Sequence, residues 1–141
     1  MPSPTALSSF RHTLRVYWED TDAGGVVFYA NYLKFFERAR TEWLRGAGFE
    51  QERLRSDAGI VFVVTDTSLS YRRPARLDDL IELSVEPLEI GGASMTLAQQ
   101  AWRVEGAARV LLCECRIRIG CVHAGTFKPC RIPNQILRTL K

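Results

Sequence analysis

The segment RVYWEDTDAGGVVFYANYLKFFERARTEWLR, residues 15–45, decides the fold. It joins a strand-like run to the longest amphipathic pattern of the chain through an acidic turn, Glu19 to Gly25. Gly24 and Gly25 carry no Cβ, so the backbone can bend sharply there and another molecule can approach it closely. Apolar residues then recur at i, i+4, i+7 and i+11, which predicts a helix from about Val27 to Arg45. Its apolar face is expected to consist of Tyr32, Phe36, Ala39 and Trp43.

The acidic turn therefore leads into the N-terminus of a helix. The first N–H groups of a helix have no intrahelical partners and carry partial positive charge, so they can polarise a carbonyl oxygen or hold an anion. A carboxylate in this turn would lie beside such a group. Asp22 is one candidate, although Asp is also favoured as a helix cap. Asp20 is better interpreted as a turn carboxylate that holds the loop, and Glu37 as a solvated helix charge or a partner of Arg38 or Arg40.

The rest of the chain predicts mostly strands with regular turns between them. We expect strands at Phe10–Trp18, Ile60–Tyr71, Leu80–Leu88, Ser94–Val104 and Arg109–Ile119, a short second helix within Glu50–Ala58 and a terminal helix after Pro133. Tight turns between consecutive strands indicate an antiparallel meander. The last strand is expected to turn one apolar face to the core, composed of Leu111, Cys113, Cys115, Ile117 and Ile119. The fold class is α+β, with one helix against a long antiparallel sheet.

Length and composition indicate one domain, 1–141, whose first eight or nine residues we expect to be loose. The chain has 46% hydrophobic and 25% charged residues. Residues 1–10 lack the apolar run of a secretory signal, and no run approaches the ~20 apolar residues of a membrane span, so we expect a cytoplasmic protein. The net charge of +3 is mild and the arginines are scattered, which argues against nucleic acid as a partner.

Four cysteines, Cys113, Cys115, Cys121 and Cys130, are expected to be free thiols, the first two in a strand. There is no C-x-x-C pair, so a zinc site built from Cys121, His123 and the other cysteines is the less favoured interpretation. A reducing compartment disfavours disulfides. We predict neither a metal nor an organic cofactor.

The turn and helix carry a resemblance to a known family. The segment matches D-x-D-x-x-G-x-V-x-[HY]-x-x-Y followed by E-x-A-R, at Asp20, Asp22, Gly25, Val27, Tyr29, Tyr32, Glu37, Ala39 and Arg40. This pattern resembles the hotdog-fold thioesterases of the 4-hydroxybenzoyl-CoA thioesterase type, and among them the short bacterial acyl-CoA thioesterases associated with the Tol-Pal system. The run from Pro74 to Asp79 resembles the family's bend before its second long strand. The resemblance therefore covers nearly the whole chain and implies a long antiparallel sheet wrapped around one central helix.

The resemblance also implies the site. Asp22 matches the catalytic carboxylate, and the amide around Phe28 and Tyr29 matches the donor that polarises the thioester carbonyl. The substrate-binding set that we predict is Gly25, Val27, Phe28, Asn31, Tyr32, Arg72 and Arg73. The substrate would be an acyl-CoA, and subunits would join their sheets edge to edge in a homodimer or homotetramer with active sites at the seam. Many Tol-Pal-associated members have His where this chain has Tyr29, whereas the aromatic-acid thioesterases have Tyr, so the acyl group is left open.

Two other functions compete with hydrolysis. The basic character of the chain suits an acidic partner, so the first alternative is a module that binds an acyl carrier protein or an enzyme of phospholipid synthesis and has only weak thioesterase activity. A hotdog dehydratase is weaker, because neither His12 nor His123 lies in the turn or the main helix. The absence of a G-x-S-x-G elbow argues against an α/β-hydrolase esterase.

Overall fold

The structure is a computed structural model that describes residues 10–140, so the expectation of loose residues 1–9 lies outside the described residues. Along the chain, one strand is followed by a 3₁₀ turn, the main helix, a short helix that continues into a π-helical turn, four further strands and a terminal helix. The bounds are β1 Phe10–Arg15, the 3₁₀ turn Trp18–Asp20, α1 Asn31–Gly46, α2 Gln51–Arg53, the π-helical turn Leu54–Ala58, β2 Ile60–Tyr71, β3 Leu80–Ile90, β4 Ser94–Glu105, β5 Ala108–His123 and α3 Asn134–Leu140. Within residues 10–140, the helices are too short or too polar to cross a membrane.

The five strands form one antiparallel sheet in the order β1-β3-β4-β5-β2, and α1 packs against one face of it. The predicted α+β class is confirmed, and the bounds of β2 are those predicted. On the helix, Tyr32, Phe36 and Ala39 are buried as expected, Phe35 is buried with them, and Trp43 packs against the core from a half-buried position. Burying each large side chain contributes roughly 2 kcal/mol, so this face fixes the helix on the sheet.

The helix begins at Asn31, not at Val27 as the periodicity predicted. Backbone hydrogen bonds to other segments of the chain hold Val27 and Phe28 outside the helix. The N–H of Val27 donates to the Ala75 carbonyl at 2.8 Å, and that of Phe28 donates to the Asp20 carbonyl at 3.0 Å. Residues 28–30 therefore form a turn before the helix. The Val27 and Phe28 N–H groups are already hydrogen-bonded, so they are not available to a ligand.

The predicted face of β5 is wrong at one position, because Leu112 is buried where Leu111 was expected. In the pairing with β4, Ala101 opposes Cys113 while Trp102 opposes Leu111, so Leu112 is an extra residue. Such a bulge reverses the alternation of side chains beyond it. The Leu112 carbonyl accepts the N–H groups of Arg72 at 2.8 Å and Arg73 at 3.2 Å. The bulge thus anchors the chain where β2 ends.

The cysteines are free thiols, as predicted. Cys113, Cys115 and Cys121 are buried and Cys130 is half-buried, with 3.4 Å between the sulfurs of Cys121 and Cys130. Burial raises the pKa of Cys113 to about 12 and that of Cys115 to about 11. These thiols are packing groups of the sheet's inner face.

Candidate active site

The acidic turn folds into a tight hairpin. Thr21 bridges to Val27, the Asp22 N–H donates to the Val26 carbonyl at 2.9 Å, and the Gly25 N–H returns to the Asp22 carbonyl at 3.0 Å. Gly25 has a φ of 80°, a backbone conformation that residues with a Cβ rarely adopt. Val26 also bridges to Arg76, so the hairpin is fixed to the loop that precedes β3.

The Asp22 carboxylate is exposed and only partly engaged. Its Oδ1 accepts the Gly24 N–H at 2.8 Å, and within residues 10–140 its Oδ2 has no hydrogen-bond or ion-pair partner. The capping interpretation is wrong for Asp22, because Ala30 occupies the N-cap position of α1 and no side chain caps it. Asp22 therefore stabilises its own turn and keeps one oxygen available.

Asp20 holds the loop together, as predicted. Its side chain is 7% exposed, and Oδ2 accepts the Tyr17 N–H at 2.8 Å. Its carbonyl accepts the Phe28 N–H at 3.0 Å and the Asn31 Nδ2 at 2.8 Å. The Phe28 amide is thus already engaged, and the Asn31 side chain anchors the loop to the first turn of α1.

The turn before α1 presents two backbone amides. The Asn31 N–H donates to the Phe28 carbonyl at 2.8 Å and closes a turn in which Tyr29 and Ala30 are the central residues. Within the described part of the chain, the N–H groups of Tyr29 and Ala30 donate no hydrogen bond. The predicted donor amide is therefore narrowed from Phe28 and Tyr29 to Tyr29, with Ala30 beside it.

A surface groove of about 250 Å³ brings together five of the predicted site residues. Its walls are Val27, Tyr29, Tyr32, Tyr71, Arg72, Arg73 and Pro74. Gly25, Phe28 and Asn31, also predicted to bind substrate, and Asp22 do not line it. Asp22, Gly25 and Val27 belong to one hairpin, and Val27 is the hairpin residue that lines the groove.

Three tyrosines form the aromatic part of the groove. The Tyr71 ring meets Tyr29 edge-on, with centroids 6.3 Å apart, and is 5.6 Å from Tyr32. Tyr32 is buried, and its hydroxyl accepts the Ala75 N–H at 3.1 Å. Burial raises the pKa of both Tyr32 and Tyr71, so both hydroxyls are neutral at physiological pH. Sequence reasoning missed Tyr71, because nothing at the end of a strand indicates that its ring meets a loop 42 residues earlier.

The two predicted arginines differ in their ion pairing. Arg72 is bound to Glu114, with Nε and Nη2 at 3.1 and 2.8 Å from Oε2, whereas among residues 10–140 no ion pair involves Arg73. Arg73 is thus the guanidinium of the groove with charge available for a ligand. Glu37 is an exposed helix charge, and within the same described residues it pairs with neither Arg38 nor Arg40.

Comparison with known proteins identifies the family of this chain. Residues 24–109 match the family model described as thioesterase superfamily, 4HBT. The chain is 42% identical over 132 residues to the acyl-CoA thioester hydrolase YbgC of Escherichia coli O6:H1, covering 94% of this chain and 96% of that protein. It is 40% identical over 129 residues to the acyl-CoA thioesterase YbgC of Haemophilus influenzae, with 92% of each chain covered.

Solved structures agree on the architecture. A crystal structure of a hypothetical protein from Aquifex aeolicus superimposes with a TM-score of 0.85 at 28% identity, covering 94% of this chain and 99% of that one. The arrangement of sheet and helix is the hotdog fold, so that prediction is confirmed. The chain belongs to the thioesterase superfamily, and within it to the group of the YbgC thioesterases. The predicted class of thioester hydrolases is confirmed with it.

Proposed function

We propose that this protein hydrolyses acyl-CoA thioesters to a carboxylic acid and coenzyme A, with Asp22 as the catalytic carboxylate and the Tyr29 amide as the group that polarises the carbonyl. The observation that carries the proposal is the hairpin that joins Asp22 to the groove wall. Its hydrogen bonds leave one Asp22 oxygen and the Tyr29 N–H without protein partners among residues 10–140. The relatives at 42% and 40% identity are named as acyl-CoA thioesterases.

The chemistry needs a polarised carbonyl and an attacking oxygen. Backbone donors placed at the developing oxyanion are often the largest single contribution, and loss of one costs about 3 kcal/mol. In one route Asp22 takes a proton from water as the water oxygen bonds to the carbonyl carbon; the C–S bond then breaks, and the proton passes to the departing thiolate. In the other, an Asp22 oxygen attacks the carbonyl carbon, the C–S bond breaks and the coenzyme A thiolate leaves, taking a proton from solvent; water then hydrolyses the resulting anhydride, which releases the carboxylic acid and restores the Asp22 carboxylate. Both routes use the same two groups.

The rest of the predicted site surrounds these groups. Val27 and Tyr32 contribute walls for the acyl group, and Arg73 supplies a charge for the phosphates of coenzyme A. Gly25 keeps the hairpin in its left-handed turn, and Phe28 and Asn31 fix the position of the turn through Asp20. Arg72 completes the wall while it remains paired to Glu114.

We further propose that two subunits pair through β2 in the cytoplasm. β2 is a twelve-residue edge strand whose outer row of backbone groups has no neighbour among the described residues, and Val64 is 49% exposed on it. A long exposed edge is a template for pairing with another strand. Such a dimer would place a second protomer beside the exposed Asp22 loop; light scattering of the purified protein tests it.

The test of the catalytic proposal is Asp22→Asn, assayed against a panel of short, long and aromatic acyl-CoAs. Asn keeps an oxygen that can accept the Gly24 N–H, so the turn should survive while the charge is lost. Loss of a general base lowers the rate by roughly 10² to 10⁴-fold. Asp57→Asn, at an exposed carboxylate in the π-helical turn, is the matched control and should retain full activity. Near wild-type hydrolysis by Asp22→Asn would exclude the assignment.

The partner-binding alternative is tested with the same variants. If the thioester is taken from an acyl carrier protein, turnover should be faster with the acylated carrier protein than with the acyl-CoA, and Asp22→Asn should abolish both. Tight binding of the carrier protein with negligible turnover of either substrate would favour a binding module.

A further inference from the structure

We propose that Tyr71 is a positioning residue for the hydrolysis, and that its hydroxyl holds the Phe28–Asn31 turn so that the Tyr29 and Ala30 amides are set to receive the carbonyl oxygen. The inference rests on the proposed function. The observation behind it is the hydrogen bond from the Tyr71 hydroxyl to the Tyr29 carbonyl at 3.0 Å. It ties the end of the edge strand β2 to the turn before α1.

The bond acts on the peptide unit that carries one of the free amides. The Tyr29 carbonyl and the Ala30 N–H belong to the same peptide group. Hydrogen bonds in a chain polarise one another, so a donor on the carbonyl oxygen makes the N–H of that group a stronger donor. The same bond resists rotation of the turn, which fixes the direction of the preceding Tyr29 N–H.

Tyr71 is itself firmly placed. Its Cα opposes Cys113 in the β2–β5 pairing, and the next two amides, of Arg72 and Arg73, are bound to the Leu112 carbonyl at 2.8 and 3.2 Å. The β5 bulge therefore fixes the position from which the Tyr71 ring reaches the turn. A rigid donor on a rigid strand is what a precise site requires, since a loosely held group loses much of its effect.

The hydroxyl can be separated from the ring. Tyr71 is 46% exposed, and its edge-on contacts with Tyr29 and Tyr32 involve only the ring. Tyr71→Phe keeps those contacts and removes only the hydrogen bond. Ser70→Ala is the matched control, because it removes an exposed hydroxyl from the neighbouring residue of the same strand.

The first measurement is steady-state kinetics on the best acyl-CoA of the panel. A hydrogen bond is worth about 0.5–1.5 kcal/mol net, so we expect Tyr71→Phe to lower kcat by about 2- to 12-fold with KM within about twofold of wild type. Ser70→Ala should leave both parameters unchanged. An unchanged kcat in Tyr71→Phe would overturn the proposal.

The second measurement reports polarisation without catalysis. The probe is a ketone analogue of the same acyl-CoA, with methylene in place of sulfur and ¹³C at the carbonyl, bound to the enzyme and observed by isotope-edited infrared spectroscopy. We expect the carbonyl stretch to move to higher frequency in Tyr71→Phe than in wild type. A fall in kcat with no change in this frequency would assign Tyr71 to general stability and overturn the positioning role.

These readouts separate the two proposals. If Asp22→Asn retains activity, the proposed catalytic carboxylate fails whatever Tyr71 does. If Asp22→Asn is inactive while Tyr71→Phe matches wild type in kcat and carbonyl frequency, only the present inference fails.

Discussion

Two regions along helix α1 use polar groups in opposite ways. In its middle, Arg40 is 7% exposed, and its Nη1 donates to Gln99 Oε1 at 2.8 Å. The Gln99 amide nitrogen is bound in turn to the carbonyls of Phe36 at 3.1 Å and Ser84 at 3.3 Å. Just before the helix, Asp22 and the turn at Tyr29 are exposed and keep hydrogen-bonding capacity that the described residues do not use.

The difference separates structure from chemistry within one helix. The hydrogen bonds from the Gln99 amide nitrogen to two carbonyls fix its side chain so that Oε1 faces Arg40. Burial lowers the pKa of the Arg40 guanidinium, and among residues 10–140 no carboxylate forms an ion pair with it. That arrangement serves the fold. Unused donors and acceptors beside a groove, in contrast, are available to a ligand. We call the part of the molecule around Arg40 and Gln99 the closed region, and the groove with the adjoining Asp22 hairpin and Tyr29 turn the open region. Changes in the closed region should therefore alter stability, and changes in the open region should alter kinetics at constant stability.

Of the changes that test this difference, Gln99→Leu is expected to have the largest effect, a loss of stability. Leucine removes the Arg40 acceptor and leaves a buried guanidinium without it, which costs about 3 kcal/mol of unfolding free energy. Gln100→Leu is the matched control, because the next side chain lies on the opposite face of β4 and is only partly buried. Urea unfolding of both variants measures the difference. Equal midpoints for the two would show that the closed region is not held by this pair.

The sequence predicts a region well where its structure depends on residues close together in the chain, and poorly where it depends on distant ones. The helix face and the bounds of β2 could be predicted because periodicity is local. The start of α1 could not, since the Val27 and Phe28 amides are bound to residues far along the chain or across the turn. The same holds for the bulge at Leu112, which depends on register with β4.

The candidate site also has a part that the sequence predicted and a part that it did not. The motif placed Asp22 and Tyr29 on one hairpin and turn, yet it gave no sign that Phe28 is engaged by Asp20 or that Arg72 is engaged by Glu114. Tyr71 was missed for the same reason, because its partner is a backbone carbonyl 42 residues away. Local patterns thus name candidate residues, and tertiary hydrogen bonds decide which of them remain available.

The closed region should also limit alkaline stability. Cys113 and Cys115 have pKa values raised by burial to about 12 and about 11, whereas an unfolded thiol titrates near ~8.5. Above about pH 9 the unfolded chain loses protons that the folded chain keeps, so stability present below this pH is lost as the pH rises toward the folded values. We expect a loss on the order of 2 kcal/mol for each of the two thiols between about pH 8 and 10.

Urea unfolding under reducing conditions across this pH range measures the loss. The double variant Cys113→Ala/Cys115→Ala should show a flatter pH dependence even if it is less stable at neutral pH. An identical slope in wild type and the double variant would contradict this account.

Within the open region, Arg73 and Arg72 allow a direct comparison of an available group with an engaged one. Both line the groove, but only Arg72 is committed to Glu114. An available guanidinium can bind a phosphate of coenzyme A by charge-assisted hydrogen bonds, which solvent screening weakens at an exposed position. Arg73→Ala should therefore raise KM for an acyl-CoA by about 3- to 10-fold with little change in kcat, and the increase should shrink in about 1 M salt. Arg72→Ala should raise KM less, because its charge is already paired.

The decisive comparison uses the same acyl group on N-acetylcysteamine, which keeps the thioester and lacks the phosphates. If Arg73 binds a phosphate, Arg73→Ala should hydrolyse this truncated substrate as wild type does, since the lost contact never existed there. A KM increase of the same size on both substrates would place Arg73 at the acyl end of the groove instead. A larger effect of Arg72→Ala than of Arg73→Ala would mean that the Arg72–Glu114 pair opens when substrate binds, and the distinction between engaged and available groups would then fail inside the groove itself.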